Sequence, residues 1–135
     1  MTPEIDAEVV FRARVLPSED PAQVAKALAF LSGSATLETR EGTRTVKASF
    51  EGTNSLNFLR DQLRDRRIRP AARRLLLRSS EDGEATLLLN RQAAAVSVVA
   101  LCGAPGESPL GPVFLVLKST KLQELIDWLT DYKPE

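Results

Sequence analysis

The chain has 135 residues, of which 43% are hydrophobic and 27% are charged, a composition that fits one folded domain with a buried core and excludes a disordered or fibrous protein. No apolar run approaches the roughly 20 residues needed to cross a bilayer, and the start of the chain lacks the basic and apolar segments of a secretory signal, so we expect a cytoplasmic protein. The absence of histidine excludes Ser-His-Asp and Cys-His catalysis, and the single cysteine, Cys102, cannot form an internal disulfide and is expected to be buried.

The first third of the chain predicts a strand, a helix and a hairpin. Apolar residues alternate over Ile5–Val15, which is the period of a half-buried strand. Asp20, followed by a proline, has the pattern of a helix N-cap, and the helix should end near Ser32, where a glycine follows. Two alternating segments, Ala35–Arg40 and Arg44–Phe50, flank a glycine-containing turn and predict a β-hairpin.

The middle of the chain predicts two helices that share most of the arginines. A helix capped by Thr53 or Asn54 would place apolar residues along one side (Leu56, Leu59 and Leu63). Pro70 lacks an amide hydrogen and disfavours helix at the preceding residue, so a second short helix should begin at Pro70 and run to about Arg78.

The last third predicts three strands and a helix. Glu84–Asn90 and Ala93–Leu101 have the composition of strands, and the second is apolar almost throughout, which predicts a central position in the sheet. Val113–Lys118 predicts the last strand, and Thr120 with Gln123 predicts a capping box for a final helix. These elements indicate an α+β fold: a single two-layer domain of all 135 residues, with a mainly antiparallel sheet and helices on one face.

The feature that points most directly to function is the arginine-rich segment, residues 60–78. It carries eight arginines against only two aspartates, a local charge of +6 in a chain whose net charge is zero. Its arginines are Arg60, Arg64, Arg66, Arg67, Arg69, Arg73, Arg74 and Arg78. Guanidinium groups pair with phosphate through two donors at once, so the segment predicts a phosphate-binding surface. A solvated helix face with internal Asp61–Arg64 and Asp65–Arg69 pairs, or a docking patch for an acidic protein, remain the alternatives.

Other candidate sites are weaker. Arg91 and its neighbours Asn90 and Gln92 have donors that could reach a phosphate, although a turn between strands favours the same residue types, so Arg91 is kept as a further candidate. The proline-rich loop 108–112 is more typical of a rigid crossing between strands than of a binding loop. The chain has no glycine-rich phosphate loop and no cysteine–histidine metal motif, so no cofactor is predicted. A magnesium-dependent enzyme would need two or three carboxylates converging on one surface.

The aromatic residues narrow the mode of binding. The five phenylalanines fall mostly at predicted core positions, whereas proteins that read single-stranded RNA stack bases on exposed aromatic side chains. The pattern therefore favours recognition of a nucleic acid by its backbone and shape.

Four stretches of the chain occur together, in register and in order. They are Val15-Leu16-Pro17-Ser18-Glu19-Asp20, the block Leu59–Arg73, Leu89-Asn90-Arg91-Gln92-Ala93-Ala94 and Ser108-Pro109-Leu110-Gly111-Pro112. In these stretches the chain resembles a family of uncharacterised archaeal proteins that are predicted to bind RNA and to associate with the exosome. It departs from the pattern at Arg69-Pro70, where relatives commonly have an apolar and an acidic residue, and this departure makes the segment more basic.

The resemblance implies a compact α+β fold similar to an RNA-binding protein of the large ribosomal subunit, and an archaeal, cytoplasmic setting. It also implies RNA rather than DNA as the ligand, with exosome or ribosomal components as further partners. We therefore expect a non-catalytic protein that holds structured RNA through its phosphates. The alternative is a protein-interaction module that docks on an acidic partner.

Overall fold

A computed structural model describes residues 5–32, 36–40, 43–103 and 111–132. In these ranges the strands are β1 (Glu8–Arg14), β2 (Thr36–Arg40), β3 (Thr43–Glu51), β4 (Glu84–Leu89) and β5 (Val113–Lys118). The helices are α1 (Pro21–Ser32), α2 (Asn57–Asp65), α3 (Arg69–Ser79), α4 (Arg91–Ala95) and α5 (Leu122–Leu129). The predicted α+β fold is confirmed. The predicted terminating residue Gly33, the turn at residues 41–42 and most of the loop 108–112 lie outside the described residues.

The five strands form one antiparallel sheet in the order β2-β3-β1-β5-β4. β1 lies at its centre, where Phe11 faces Ala48 of β3 on one side and Leu115 of β5 on the other. Along β1 the side chains of Val9, Phe11 and Ala13 are buried, whereas those between them are half-buried or exposed. β4 and β5 alternate in the same way. The helices therefore cover one face of the sheet, as the sequence predicts.

The core is the layer between the helices and this face of the sheet. Each helix contributes aliphatic side chains that are at most 5% exposed: Val24, Ala27, Leu28 and Leu31 from α1, Leu59 and Leu63 from α2, Ala72 and Leu76 from α3, Ala94 from α4, and Leu125, Ile126 and Leu129 from α5. Burying a leucine side chain stabilises the fold by about 2 kcal/mol, so this layer supplies most of the driving force for folding. None of the described helices has both the length and the apolar character needed to span a bilayer.

The predicted helix starts are confirmed in two of four cases. The Asp20 carboxylate accepts a hydrogen bond of 2.9 Å from the amide of Ala22, as expected for an N-cap, and α3 has Pro70 in its first turn. The chain enters α2 through a 3₁₀ turn over Asn54–Leu56, and no side chain caps either start. The predicted capping box of α5 is wrong, because the amide and hydroxyl of Thr120 both donate to Asp6.

The prediction of a central strand over Ala93–Leu101 is wrong. Residues 91–95 form α4, the Asn90 side chain caps it by accepting from the amide of Ala93 at 2.9 Å, and the chain then reverses at Ser97, whose φ is 62°. Only Leu101 returns to the sheet, as an isolated bridge to Leu89. An apolar run has no period that separates a strand from a buried helix, and three consecutive alanines behind an N-cap favour the helix.

The outer edge of β4 is occupied by short segments of chain instead of another strand. The Ser79 hydroxyl accepts from the amide of Thr86 and donates to its carbonyl, both at 2.9 Å. The Leu88 carbonyl accepts from the amide of Cys102 at 2.9 Å, and the amide of Asn90 donates to the Ala100 carbonyl at 2.8 Å. Backbone groups along this edge of the sheet are therefore already hydrogen-bonded.

Arg91 is buried in an ion pair with Glu19. Its side chain is 5% exposed, and its Nη2 donates to both carboxylate oxygens of Glu19, at 2.8 and 3.0 Å. The same carboxylate accepts from the amide of Leu16 at 2.9 Å. The pair therefore ties the turn between β1 and α1 to the start of α4.

We predict that Arg91→Ala lowers the free energy of unfolding by about 3 kcal/mol, because it leaves the Glu19 carboxylate buried without its cationic partner. Urea denaturation followed by circular dichroism measures the change. The double variant Glu19→Leu/Arg91→Met should recover most of the loss, because it removes both charges and keeps the volume. The exposed Arg78→Ala is the control and should cost less than about 0.5 kcal/mol. Equal losses in Arg91→Ala and Arg78→Ala would contradict the role given to the pair.

Candidate nucleic-acid interface

The arginine-rich segment forms a helical hairpin made of α2 and α3. α2 buries Leu59 and Leu63, and α3 buries Ala72 and Leu76. Because residues three and four apart share one face of a helix, these apolar positions turn the remaining side chains of both helices outward. The hairpin therefore presents its arginines on the outside of the helical layer.

The turn between α2 and α3 places Arg67 in an unusual backbone conformation. The amide of Ile68 donates to the Leu63 carbonyl at 3.0 Å, and the amide of Arg67 donates to the Arg64 carbonyl at 3.1 Å, which is the Schellman pattern of a helix end. Arg67 has a φ of 58°, in the left-handed region where glycine is the usual residue. An arginine there costs about 1 kcal/mol in backbone strain. Its side chain is exposed.

Two arginines of the hairpin bind the end of α5. Arg60 donates from Nε to the Trp128 carbonyl at 2.8 Å and from Nη2 to Asp131 at 3.0 Å, and its guanidinium lies 5.3 Å from the centre of the Trp128 ring. Arg69 donates from Nη1 to the other carboxylate oxygen of Asp131, also at 3.0 Å. One carboxylate therefore holds both arginines, and these two side chains fasten the hairpin to α5.

Arg73 is engaged in the same way one turn along α3. It pairs with Asp127, whose carboxylate also accepts from Gln123 at 3.0 Å. Its guanidinium lies 3.6 Å from the centre of the Tyr132 ring, a stacked cation–π contact. Asp127 and Asp131 thus form ion pairs with three arginines of the segment.

Arg64 forms only exposed pairs. It lies 3.7 Å from Asp61 and 3.3 Å from Asp65, and its side chain is half exposed. The Asp61–Arg64 pair is confirmed, whereas Asp65 pairs with Arg64 rather than with the predicted Arg69. Exposed pairs of this kind contribute about 0–1 kcal/mol, so Arg64 could exchange them for a phosphate at little cost.

Four arginines remain, and we call them the free arginines: Arg66, Arg67, Arg74 and Arg78. All four are exposed, and none forms an ion pair with another described residue. Arg74 and Arg78 are four residues apart on α3 and so share one side of the helix. Arg66 and Arg67 lie in the turn before α3. The eight arginines of the segment therefore divide into four that contact carboxylates and four that are available to a ligand.

A groove of about 540 Å³ lies between α3 and the end of α5, and Arg74 is the free arginine that lines it. Its lining includes Arg69, Pro70, Arg73, Arg74, Leu77 and Tyr132. Tyr132 is 45% exposed there. Apolar walls with a few charged groups are typical of sites that bind small organic groups.

Two aromatic side chains, Phe58 and Tyr132, are exposed on the helical layer. Phe11 is buried and Phe30 and Phe50 pack against the core, but Phe58 is 40% exposed and meets Phe30 edge to face at 5.1 Å. Together with Tyr132, it offers a ring surface at the helical layer. The prediction that the phenylalanines lie mostly at core positions is confirmed, while Phe58 and Tyr132 are exposed.

Arg91 does not join this surface. Its ion pair with Glu19 buries it at the start of α4, and burial leaves its guanidinium unable to meet a large anion. Sequence alone could not distinguish it from the exposed arginines, because Glu19 is 72 residues away along the chain.

A second, acidic groove of about 820 Å³ lies at one end of the sheet, lined by residues that include Asp6, Glu8, Glu51, Asp82 and Glu84. The hydrogen bonds that Thr120 donates to Asp6 hold the pKa of that carboxyl below its usual value. Within the described residues, no group of three or more acidic or cysteine side chains is placed to hold a metal ion.

We predict that Arg60→Ala lowers the free energy of unfolding by about 2 kcal/mol, because it removes two hydrogen bonds and a cation–π contact that join α2 to α5. Arg74→Ala, on the exposed side of α3, should change it by less than about 0.5 kcal/mol. Thermal and urea unfolding of the two variants, measured side by side, test this difference. If both variants match the wild-type protein, Arg60 does not hold the hairpin to α5.

No family model matches the chain. A UPF0201 protein of Sulfurisphaera tokodaii is 35% identical over 125 residues, which cover 91% of this chain and 86% of the relative. A UPF0201 protein of Pyrobaculum neutrophilum is 38% identical over 116 residues, which cover 83% and 80%.

Solved structures agree with the fold. The crystal structure of a UPF0201 protein from Methanococcus jannaschii superposes with a TM-score of 0.76 at 23% identity, covering 95% of each chain. The structure of Mth689, a DUF54 protein from Methanothermobacter thermautotrophicus, superposes with a TM-score of 0.64 at 15% identity, covering 93% of this chain and 99% of the other. At these identities the likeness concerns the fold alone.

Proposed function

The chain belongs to the UPF0201 family of archaeal proteins, and we propose that it binds structured RNA without catalysing a reaction. The observation that carries the proposal is the division of the arginine-rich segment. Asp127 and Asp131 engage Arg60, Arg69 and Arg73, so the hairpin is held in place by part of its own charge. The free arginines then face solvent from a fixed support.

The chemistry of the free arginines favours a polyanion. Their side chains carry four positive charges with no described carboxylate against them, and each guanidinium can donate two parallel hydrogen bonds to one phosphate. Contacts to phosphates position a nucleic acid and carry no direct information about sequence. In the proposed mode of binding, the protein therefore recognises the shape and charge of folded RNA and has little preference among RNA sequences.

The conformation of Arg67 supports a role for this residue beyond stability. A glycine would satisfy the turn with less strain, yet the position holds an arginine whose side chain is exposed. Residues held in strained conformations occur most often at binding sites, where the side chain is needed. We infer that Arg67 is retained for its charge.

Exposed ring surface adds a second kind of contact. Tyr132 lies in the groove beside Arg74, with Arg73 stacked on its ring. An unpaired base at a loop or bulge of a folded RNA could enter the groove while the flanking phosphates meet Arg74. The association with the exosome or the ribosome that the family resemblance implies is a further proposal, and co-purification of RNA-processing proteins with the tagged chain from archaeal cells would test it.

We predict that RNA binding weakens with salt with a log–log slope of about −3, the value for roughly four phosphate contacts. Alanine at any one of the free arginines should lower affinity by a similar factor for two unrelated structured RNAs, and should reduce the slope by somewhat less than 1. Fluorescence anisotropy at several salt concentrations measures both quantities. Lys26→Ala, an exposed change on α1, is the control and should have no effect.

The quadruple alanine variant of the free arginines provides the decisive result. If it keeps both affinity and slope, these residues do not bind RNA. If the wild-type protein shows no RNA binding at low salt but binds an acidic polypeptide such as polyglutamate, the docking-module alternative replaces RNA binding.

We further predict that Arg67→Gly raises the free energy of unfolding by about 0.5–1 kcal/mol while it lowers RNA affinity. Glycine relieves the left-handed backbone but removes the charge. Ser97→Gly is the matched control, because Ser97 also has a positive φ, at the end of α4. It should stabilise the protein without changing RNA binding. A variant Arg67→Gly that binds RNA as the wild type does would show that the strained arginine serves no binding role.

A further inference from the structure

The face of the sheet opposite the helices has an apolar centre. Along each strand, the residues between the buried ones point their side chains to this face. Val10 of β1 and Val116 of β5 lie in the middle row of this face, and Phe114 of β5 and Leu88 of β4 lie in the same row as Arg12, all half-buried. Phe114 is partly covered by the Arg12 guanidinium, which lies 4.8 Å from its ring centre. The centre of the face is therefore suited to contact with another protein surface.

The two ends of the same face carry opposite charges. At one end Glu8 of β1 is directly opposite Glu51 of β3, and two rows along the strands Arg12 is directly opposite Lys47. Among the described residues, no ion pair neutralises Glu51, Arg12 or Lys47. Lys118 lies beside Glu8, but it pairs with Glu84 at 3.9 Å.

Like charges directly opposite each other on neighbouring strands destabilise a sheet. The monomer therefore contains two unfavourable pairs of opposite sign, one acidic and one basic, at the two ends of one face. Each pair would be stabilised by a partner that brings the other sign to the same place.

We propose that this face docks against the same face of a second copy of the chain. A two-fold axis that lies between the sheets and runs perpendicular to the strands reverses the strand direction in the second copy. It places the Glu8–Glu51 pair of each copy over the Arg12–Lys47 pair of the other, with Val10 and Val116 of the two copies in contact. Phe114 and Leu88 of each copy then lie over Lys118 and Glu84 of the other. A two-fold axis parallel to the strands would place acid over acid, so the charges select the first arrangement.

The dimensions of the face fit a weak dimer. Four strands about 4.8 Å apart make a surface roughly 19 Å across, and packed sheets lie about 10 Å apart. Such a contact lies near the lower limit for a specific interface, which predicts dissociation in the micromolar range or above. The free arginines lie in the helical layer on the other side of the sheet, so both copies would keep them exposed. The inference does not depend on RNA binding.

The first test is sedimentation velocity of the full chain from micromolar to millimolar concentration. A monomer–dimer equilibrium that weakens as salt is raised is expected. The double variant Arg12→Glu/Lys47→Glu should raise the dissociation constant of the dimer at least about tenfold, because it makes both ends of the face acidic. Lys26→Glu/Lys121→Glu makes the same change in charge at exposed positions on α1 and just before α5, and should leave the equilibrium unchanged.

The second test uses complementary reversal. Glu8→Lys/Glu51→Lys makes both ends of the face basic and should also abolish self-association. A mixture of this variant with Arg12→Glu/Lys47→Glu should form a heterodimer, detected by native mass spectrometry, and the quadruple variant should dimerise again. Circular dichroism checks that each variant is folded.

Three results would overturn the inference: a wild-type protein that stays monomeric at millimolar concentration, a dimer indifferent to the reversals, or folded variants that fail to associate when mixed. If the wild-type protein is monomeric and the variant Arg12→Glu/Lys47→Glu binds RNA less tightly, the face binds RNA instead of a second copy. That result would also overturn the inference.

Discussion

The position of the helical hairpin depends on two carboxylates at the end of α5. Asp131 binds Arg60 and Arg69, and Asp127 binds Arg73, so three contacts that are 54 to 71 residues apart in sequence hold α2 and α3 against the last helix. The Arg73–Asp127 contact is partly buried, where an ion pair is less screened by salt than on the open surface, and the two contacts of Asp131 are more exposed. These ion pairs divide the arginines of the basic segment into two groups. One group holds the hairpin to α5, and the other faces solvent.

Three helices end in the same backbone conformation, and the sequence does not predict these ends. α2, α4 and α5 each terminate in paired backbone hydrogen bonds of the Schellman type, with Arg67, Ser97 and Asp131 at the left-handed position. Glycine is the residue from which such a helix end is usually predicted, and none of the three positions is a glycine. The apolar residue that follows, such as Ile68 after α2, is the remaining signal. At Asp131 the same turn also carries the carboxylate that receives two arginines.

The periodicity of the apolar residues, together with the residues that mark helix starts, predicted most of the fold. All five strands and the order of the elements were predicted, together with one false strand over Ala93–Leu101, and Asp20 and Pro70 marked the starts of α1 and α3, the second to within one residue. Prediction failed where local pattern carries no information: the apolar run after Asn90 could be strand or helix, and its alanines and cap decided for α4. The arginine-rich segment was evident from sequence, but which arginines are free depends on Asp127, Asp131 and Glu19, and contacts so distant in sequence leave no local pattern.

The hydrogen bonds along the outer edge of β4 determine where the sheet can grow. An open edge strand is the usual starting point for intermolecular β-sheet and for aggregation, because its unpaired amides and carbonyls accept any extended chain. At β4 that route is closed by a serine hydroxyl and by the segment that returns after α4. Within the described residues β2 pairs only with β3, so the sheet has a single direction for strand addition. Fibril growth needs strands to add at both edges of a sheet, and a protein with one closed edge is protected against it.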